Sequence, residues 1–203
     1  MQNGKGEGGS QAKPAELARS IRQGLGSRAI VMIGLMGAGK TSIGKRLAAS
    51  LDMPFSDADQ EIEKAAGKTI NEIFAENGEI YFRDGERRVI ARLLSDGPKV
   101  LATGGGAFMN PETRARIAGS GVSIWLRADI DTLMQRVARR DNRPLLKAPN
   151  PRGVMETLIA ERYPVYALAD VTIESRDVAH ELIVDEIVRA LHGCPKLAAP
   201  GSE

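Results

Sequence analysis

The chain has 203 residues, is 42% hydrophobic and 27% charged, and carries a net charge of +2; this suits one domain with a real core and is short for two. A single cysteine, Cys194, excludes an intramolecular disulfide and a thiolate zinc site. Two histidines, His180 and His192, leave little room for a histidine-rich metal centre or a serine-protease triad.

Residues 1–14 are rich in glycine, serine and charge and are expected to be disordered. Leu17, Ile21 and Leu25 then repeat at helical spacing, with Arg19 and Arg22 off that face, so a short helix either lies on the domain or frays. Residues 1–28 are therefore read as an N-terminal extension, partly disordered. Acidic Glu7 and Glu16 count against an organellar targeting peptide, and MQNGKGEGGS has no apolar signal core.

The first strand is AIVMI at 29–33, and GLMGAGKT at 34–41 follows it and opens a helix at about 40–51. Strand, glycine loop and helix in that order make a phosphate-binding loop. Glycines let backbone N–H groups turn toward phosphate oxygens at the positive end of the helix dipole. Lys40 would reach the β- and γ-phosphates, and Thr41 would offer its hydroxyl to magnesium.

The second strand, 54–56, runs into Asp57 and Asp59. Ligands of open parallel sheets bind beyond the carboxyl ends of strands. Asp57 would then emerge beside the loop and hold magnesium, through water. Asp59 has two readings: an N-cap for the helix at 59–66, or a group facing a second substrate.

Helical patterns continue at 69–76 and 79–95, and the second carries Arg83 three residues before Glu86, on one helix face. The third strand, 99–102, ends not in an acid but in Thr103 and three glycines, Gly104, Gly105 and Gly106. After a helix at 111–118, a strand at 122–126 and a helix at 129–139, Arg143 lies in DNRPLL, where Pro144 breaks any helix. A helix at 151–168 contains Arg162, just before a proline turn in ERYPVY; a strand at 170–173 and a helix at 177–191 complete the pattern. Residues 193–203 read as a loose tail. Short apolar strands alternating with helices imply a parallel sheet covered on both faces. Planar guanidinium forks suit a small carboxylate, and one on a mobile loop suits charge developing in phosphoryl transfer. Arg87, Arg139, Arg140 and Arg152 are read as ordinary solvated or paired surface arginines.

GLMGAGKT, DAD, FRDGE, TGGGAF, RPLL and RYPVY stand in the order and spacing that resembles the shikimate kinase family, from about Ala29 to Ala190. The resemblance implies transfer of phosphate from ATP to the 3-hydroxyl of shikimate, on the route to chorismate and aromatic amino acids. It implies a three-layer α/β P-loop kinase fold over 29–192, with a five-stranded parallel sheet in the order 2-3-1-4-5 and a lid at about 140–151. Gly37, Ala38, Gly39, Lys40, Thr41 and Ser42 would wrap the ATP phosphates, and Thr41 and Asp57 would serve Mg2+. Asp59 would bind the ring hydroxyls and take the proton, or stand beside the base that does. Arg83 and Arg162 would grip the carboxylate, with Glu86 steadying Arg83. Gly104–Gly106 would leave bare backbone for the ring to approach. Arg143 would meet the transferring phosphate, and Arg176 would border the adenine, although ESRDVAH matches the adenine segment only loosely. The net charge of +2 gives no general reason to expect nucleic acid or acidic membranes as partners, and with no apolar run long enough to span a bilayer the default reading is a cytoplasmic protein, taken as a monomer. The other readings are a gluconate-like kinase of the same fold and a non-catalytic ATP-binding relative.

Overall fold

The computed structural model describes residues 14–139 and 149–198. Five strands, β1 (Ala29–Ile33), β2 (Phe55–Asp57), β3 (Val100–Ala102), β4 (Gly121–Arg127) and β5 (Val171–Glu174), form one parallel sheet in the order β2-β3-β1-β4-β5. Ile30 pairs with Val100 on one side and Val122 on the other, which sets β1 at the centre. All five residues of β1 and all three of β3 are buried, so both faces of the sheet are covered. This is the sheet order that the family resemblance implies.

Among the described residues, eight α-helices connect and cover the strands: α1 (Pro14–Leu25), α2 (Lys40–Ser50), α3 (Ala58–Ala66), α4 (Ile70–Ser95), α5 (Pro111–Ser120), α6 (Ile130–Ala138), α7 (Pro151–Tyr166) and α8 (His180–His192). Caps fix most of their starts. Thr69 and Glu72 form a reciprocal capping box on α4, and Asn110, Asp129 and Asn150 cap α5, α6 and α7. Gly78 takes φ 78° inside α4 and breaks it there, between the two helical patterns visible in sequence.

Two expectations change, and one choice between readings is resolved. The proline turn after Arg162 is absent: α7 continues through Pro164 to Tyr166, and the Ala167 N–H closes it on the Tyr163 carbonyl (2.9 Å). Proline this close to a helix end forfeits one hydrogen bond without stopping the last turn. The tail is not loose where it is described. Pro195–Leu197 forms a 3-10 turn, and Cys194 and Leu197 are buried. Lys196 pairs with Asp170 at 2.9 Å. Finally, the N-terminal helix docks rather than frays. Ala18, Ile21 and Leu25 bury their side chains in the main core, against α8 and the tail turn. Arg22 donates to the Leu51 carbonyl (2.6 Å), and Arg28 joins the Gly24 and Lys196 carbonyls. The expected lid lies largely outside the described residues.

Candidate active site

The carboxyl ends of the strands open into one cleft of about 760 Å³. Its first side grows out of β1. The chain leaves Ile33 and turns through Gly37 (φ 83°) and Gly39 (φ 95°), backbone conformations that a side chain would strain. Gly39 is the N-cap of α2, so the loop ends where unpaired N–H groups and the helix dipole are positive. Lys40 folds back over the loop, donating to the Gly34 (2.8 Å) and Leu35 (3.0 Å) carbonyls. Gly37, Gly39, Lys40, Thr41 and Ser42 line the cleft, and Ala38 is buried behind them.

The next strand brings two carboxylates to this loop. Asp57 accepts from the Thr41 hydroxyl at 2.8 Å and, with its other oxygen, from the Asp59 N–H at 3.1 Å. Asp57 is thus the N-cap of α3, which removes the cap reading of Asp59. Asp59 lines the cleft instead. Burial first, and then the neighbouring Asp57 charge, push its carboxyl up to about 6, against the opposing pull of Lys40.

The three glycines after β3 explain themselves by what stands next to them. A β-carbon on Gly104 would lie 2.7 Å from Glu86 Oε1 and 2.8 Å from Asp59 Oδ1. On Gly105 it would lie 3.3 Å from Arg162 Nη1 and 3.5 Å from the Gly34 carbonyl. On Gly106 it would overlap the Arg83 guanidinium. Each glycine therefore makes room for a charged side chain arriving from another element, and the middle one also touches the phosphate loop.

Those side chains are held from behind. Arg83 donates to Glu86 Oε2 (2.8 Å) and to Glu79 (3.2 Å). Glu86 is 3% exposed, burial raises its carboxyl pKa against the pull of Arg83, and its Oε1 has no hydrogen-bond partner among the described residues. Arg162, on the last turns of α7, has the fully buried Tyr166 one turn on, whose hydroxyl donates to the Gly105 carbonyl. Phe74 and Phe82, with ring centres 4.5 Å apart, give this side of the cleft an apolar wall.

Gly37–Ser42, Asp57, Asp59, Arg83, Gly104–Gly106 and Arg162 thus come together in one place. Arg143 lies outside the described residues. Arg176 pairs with Glu186 and is not among the residues lining the cleft; Asp177–Glu181 line that end. Two further arginines belong to the cleft. Arg139, read as a surface arginine, borders the cleft, and Arg136, not singled out at all, lines it and donates to Ser175 and to the Arg176 carbonyl. In RVARR no local signal separates them, because only the tertiary course of α6 decides which arginine faces the loop. Arg87 and Arg152 are paired with surface acids, as read.

The shikimate kinase family profile matches residues 36–192. A shikimate kinase of Bradyrhizobium diazoefficiens is 60% identical over 181 residues, spanning 88% of this chain and 87% of that protein. One from Rhodopseudomonas palustris is 62% identical over 168 residues, 83% of each chain. Among solved structures, the Acinetobacter baumannii shikimate kinase in complex with shikimate is 35% identical, with a TM-score of 0.80, covering 87% of this chain and 97% of that one.

Proposed function

The chain belongs to the shikimate kinase family and phosphorylates shikimate with ATP, and we propose, from that premise, how its residues divide the work. One observation carries the assignment. Asp59, Glu86, Arg162 and Arg83 crowd three consecutive glycines, the middle one of which also touches the phosphate loop. A small acid held there lies beside the γ-phosphate of a nucleotide in the loop.

Arg83 and Arg162 take the carboxylate, the strongest anchor on the substrate, through charge-assisted hydrogen bonds. Phe74 and Phe82 face the carbon ring, and the unpartnered Glu86 Oε1 is an acceptor for a ring hydroxyl or a water. Anchored at its carboxylate, the substrate presents its 3-hydroxyl to Asp59. That hydroxyl oxygen bonds to the γ-phosphorus, the bond to the β–γ bridging oxygen breaks, ADP leaves, and the hydroxyl proton passes to Asp59. A carboxylate pushed up to about 6 is ionised at neutral pH yet basic enough to accept it. Backbone N–H groups of the loop and Lys40 neutralise the charge that spreads over the phosphoryl oxygens.

A hydroxyl and a carboxylate, Thr41 and Asp57, fit magnesium, a hard cation that keeps several waters and needs few protein ligands. When bound it would screen the β- and γ-phosphate charge. We assign Arg143 to the transferring phosphate and residues 140–151 to a lid. One chain supplies both sides of the cleft, which supports a monomer. A net charge of +2 gives no general reason to expect a nucleic-acid partner, we place the enzyme in the cytoplasm, and among the described residues no helix is long and apolar enough to cross a membrane. Gluconate also carries a carboxylate, but on an open hydroxylated chain that offers no carbon ring to the Phe74–Phe82 wall. A coupled assay for ADP release tests the assignment. Release is expected with shikimate and absent without an acceptor; equal release in both conditions, or turnover with gluconate instead, would refute it.

A further inference from the structure

Ser175 directly follows β5, at the carboxyl edge of the sheet, and its N–H extends the ladder to the Arg127 carbonyl (2.6 Å). It is 2% exposed, a polar side chain in a place where alanine would fit. Its hydroxyl donates to the Ala38 carbonyl at 2.8 Å and accepts from Arg136 Nη1 at 2.8 Å. Both functions of the hydroxyl are thereby used. The same guanidinium reaches the Gly37 carbonyl (3.4 Å) and the Arg176 carbonyl (2.7 Å).

The consequence lies in the peptide plane. A planar trans peptide points its C=O and N–H in opposite directions. With the Ala38 carbonyl drawn back onto Ser175, the N–H of Gly39 is turned the other way, and Gly39 lines the cleft. We propose that Ser175 is a positioning residue for the nucleotide, locking the tilt of the Ala38–Gly39 peptide and the seat of Arg136 as one unit. It acts without touching the substrate acid, which sits across the cleft at Arg83 and Arg162. The inference rests on the reading that the phosphate loop holds ATP.

Calorimetric titration with ADP and steady-state kinetics on Ser175→Ala, Ser175→Thr and Arg136→Met test it. Losing one hydrogen bond to buried partners should raise the Kd for ADP and the KM for ATP about tenfold in Ser175→Ala. The KM for shikimate should stay within about twofold, Ser175→Thr should restore most of the affinity, and Arg136→Met should add little on top of Ser175→Ala. Unchanged ADP binding, or an equal rise in both KM values, overturns the proposal. If Arg136→Met alone weakens ADP binding, the nucleotide reading stands and the role of Ser175 falls. If Lys40→Met leaves ADP binding intact as well, the nucleotide reading falls with it. Should Ser175→Ala fail to fold, Ser175→Cys, close in volume but a poor donor, is read by the same criteria.

Discussion

The two sides of the cleft are built in different ways. The phosphate side is one continuous stretch, residues 34–42, shaped by backbone conformation, with Lys40 bonded to carbonyls of its own loop. The acid side has no continuous stretch. Its charges come from α3, α4 and α7, and they meet only because three glycines after β3 stay out of their way. The loop carries its geometry in its own stretch and leans on few outside props, Ser175 and Arg136 among them, whereas a side assembled from distant parts depends on every part arriving. Chemistry common to many enzymes sits on the first, and the choice of acceptor on the second.

Substitutions on each side should therefore separate. Asp59, at the junction, gives the largest effect: Asp59→Asn should lower kcat by about 100- to 10,000-fold in steady-state assays while ADP binding holds. For the parent enzyme, kcat/KM for shikimate should fall about tenfold per pH unit below about 6, where Asp59 takes up its proton. The same group has the opposite sign for stability. Its folded pKa lies above the ordinary 3.8, so its favourable contribution is present at low pH and lost as pH rises through about 6. Asp59→Asn should accordingly be more stable to denaturant unfolding than the parent at pH 8, by up to about 3 kcal/mol, and the gap should narrow at pH 5.

Next, Arg83→Ala or Arg162→Ala should raise the KM for shikimate about 100-fold and leave the Kd for ADP nearly unchanged. Equal damage to both ligands would break the division between the sides. Gly106→Ala adds a single carbon, yet it displaces the Arg83 guanidinium; it should raise the KM for shikimate about tenfold or more. The smallest kinetic effect belongs to a site remote from both sides. Ile21→Ala in α1 should cost about 2–5 kcal/mol in denaturant unfolding, with kcat and both KM values close to the parent's.

The same contrast decides what could be read from residues alone. GLMGAGKT carries its geometry in its own spacing, and alternating apolar strands and helices carry the parallel sheet. On the acid side, Arg83 and Arg162 stood out through punctuation and family motifs, whereas Arg136 was indistinguishable from Arg139 and Arg140 within RVARR. Asp57 and Asp59 differ by two positions, and only the N–H that Asp57 accepts shows which one caps α3. The tail around Cys194 and Leu197 reads as loose because its partners lie in α1, at Arg28, at Ala118 and at Asp170, away in sequence. Pro164 looked like a stop signal but costs only one bond so near the end of α7.

A crystal structure of the complex with ADP and shikimate would test most directly whether the nucleotide and the acid share this cleft. The substrate carboxylate should lie within about 3 Å of both the Arg83 and Arg162 guanidinium groups, with the 3-hydroxyl at the Asp59 carboxylate and facing the β-phosphate of ADP. Shikimate seated elsewhere, or with its carboxylate turned toward Lys40 and its hydroxyls toward the arginines, would contradict it.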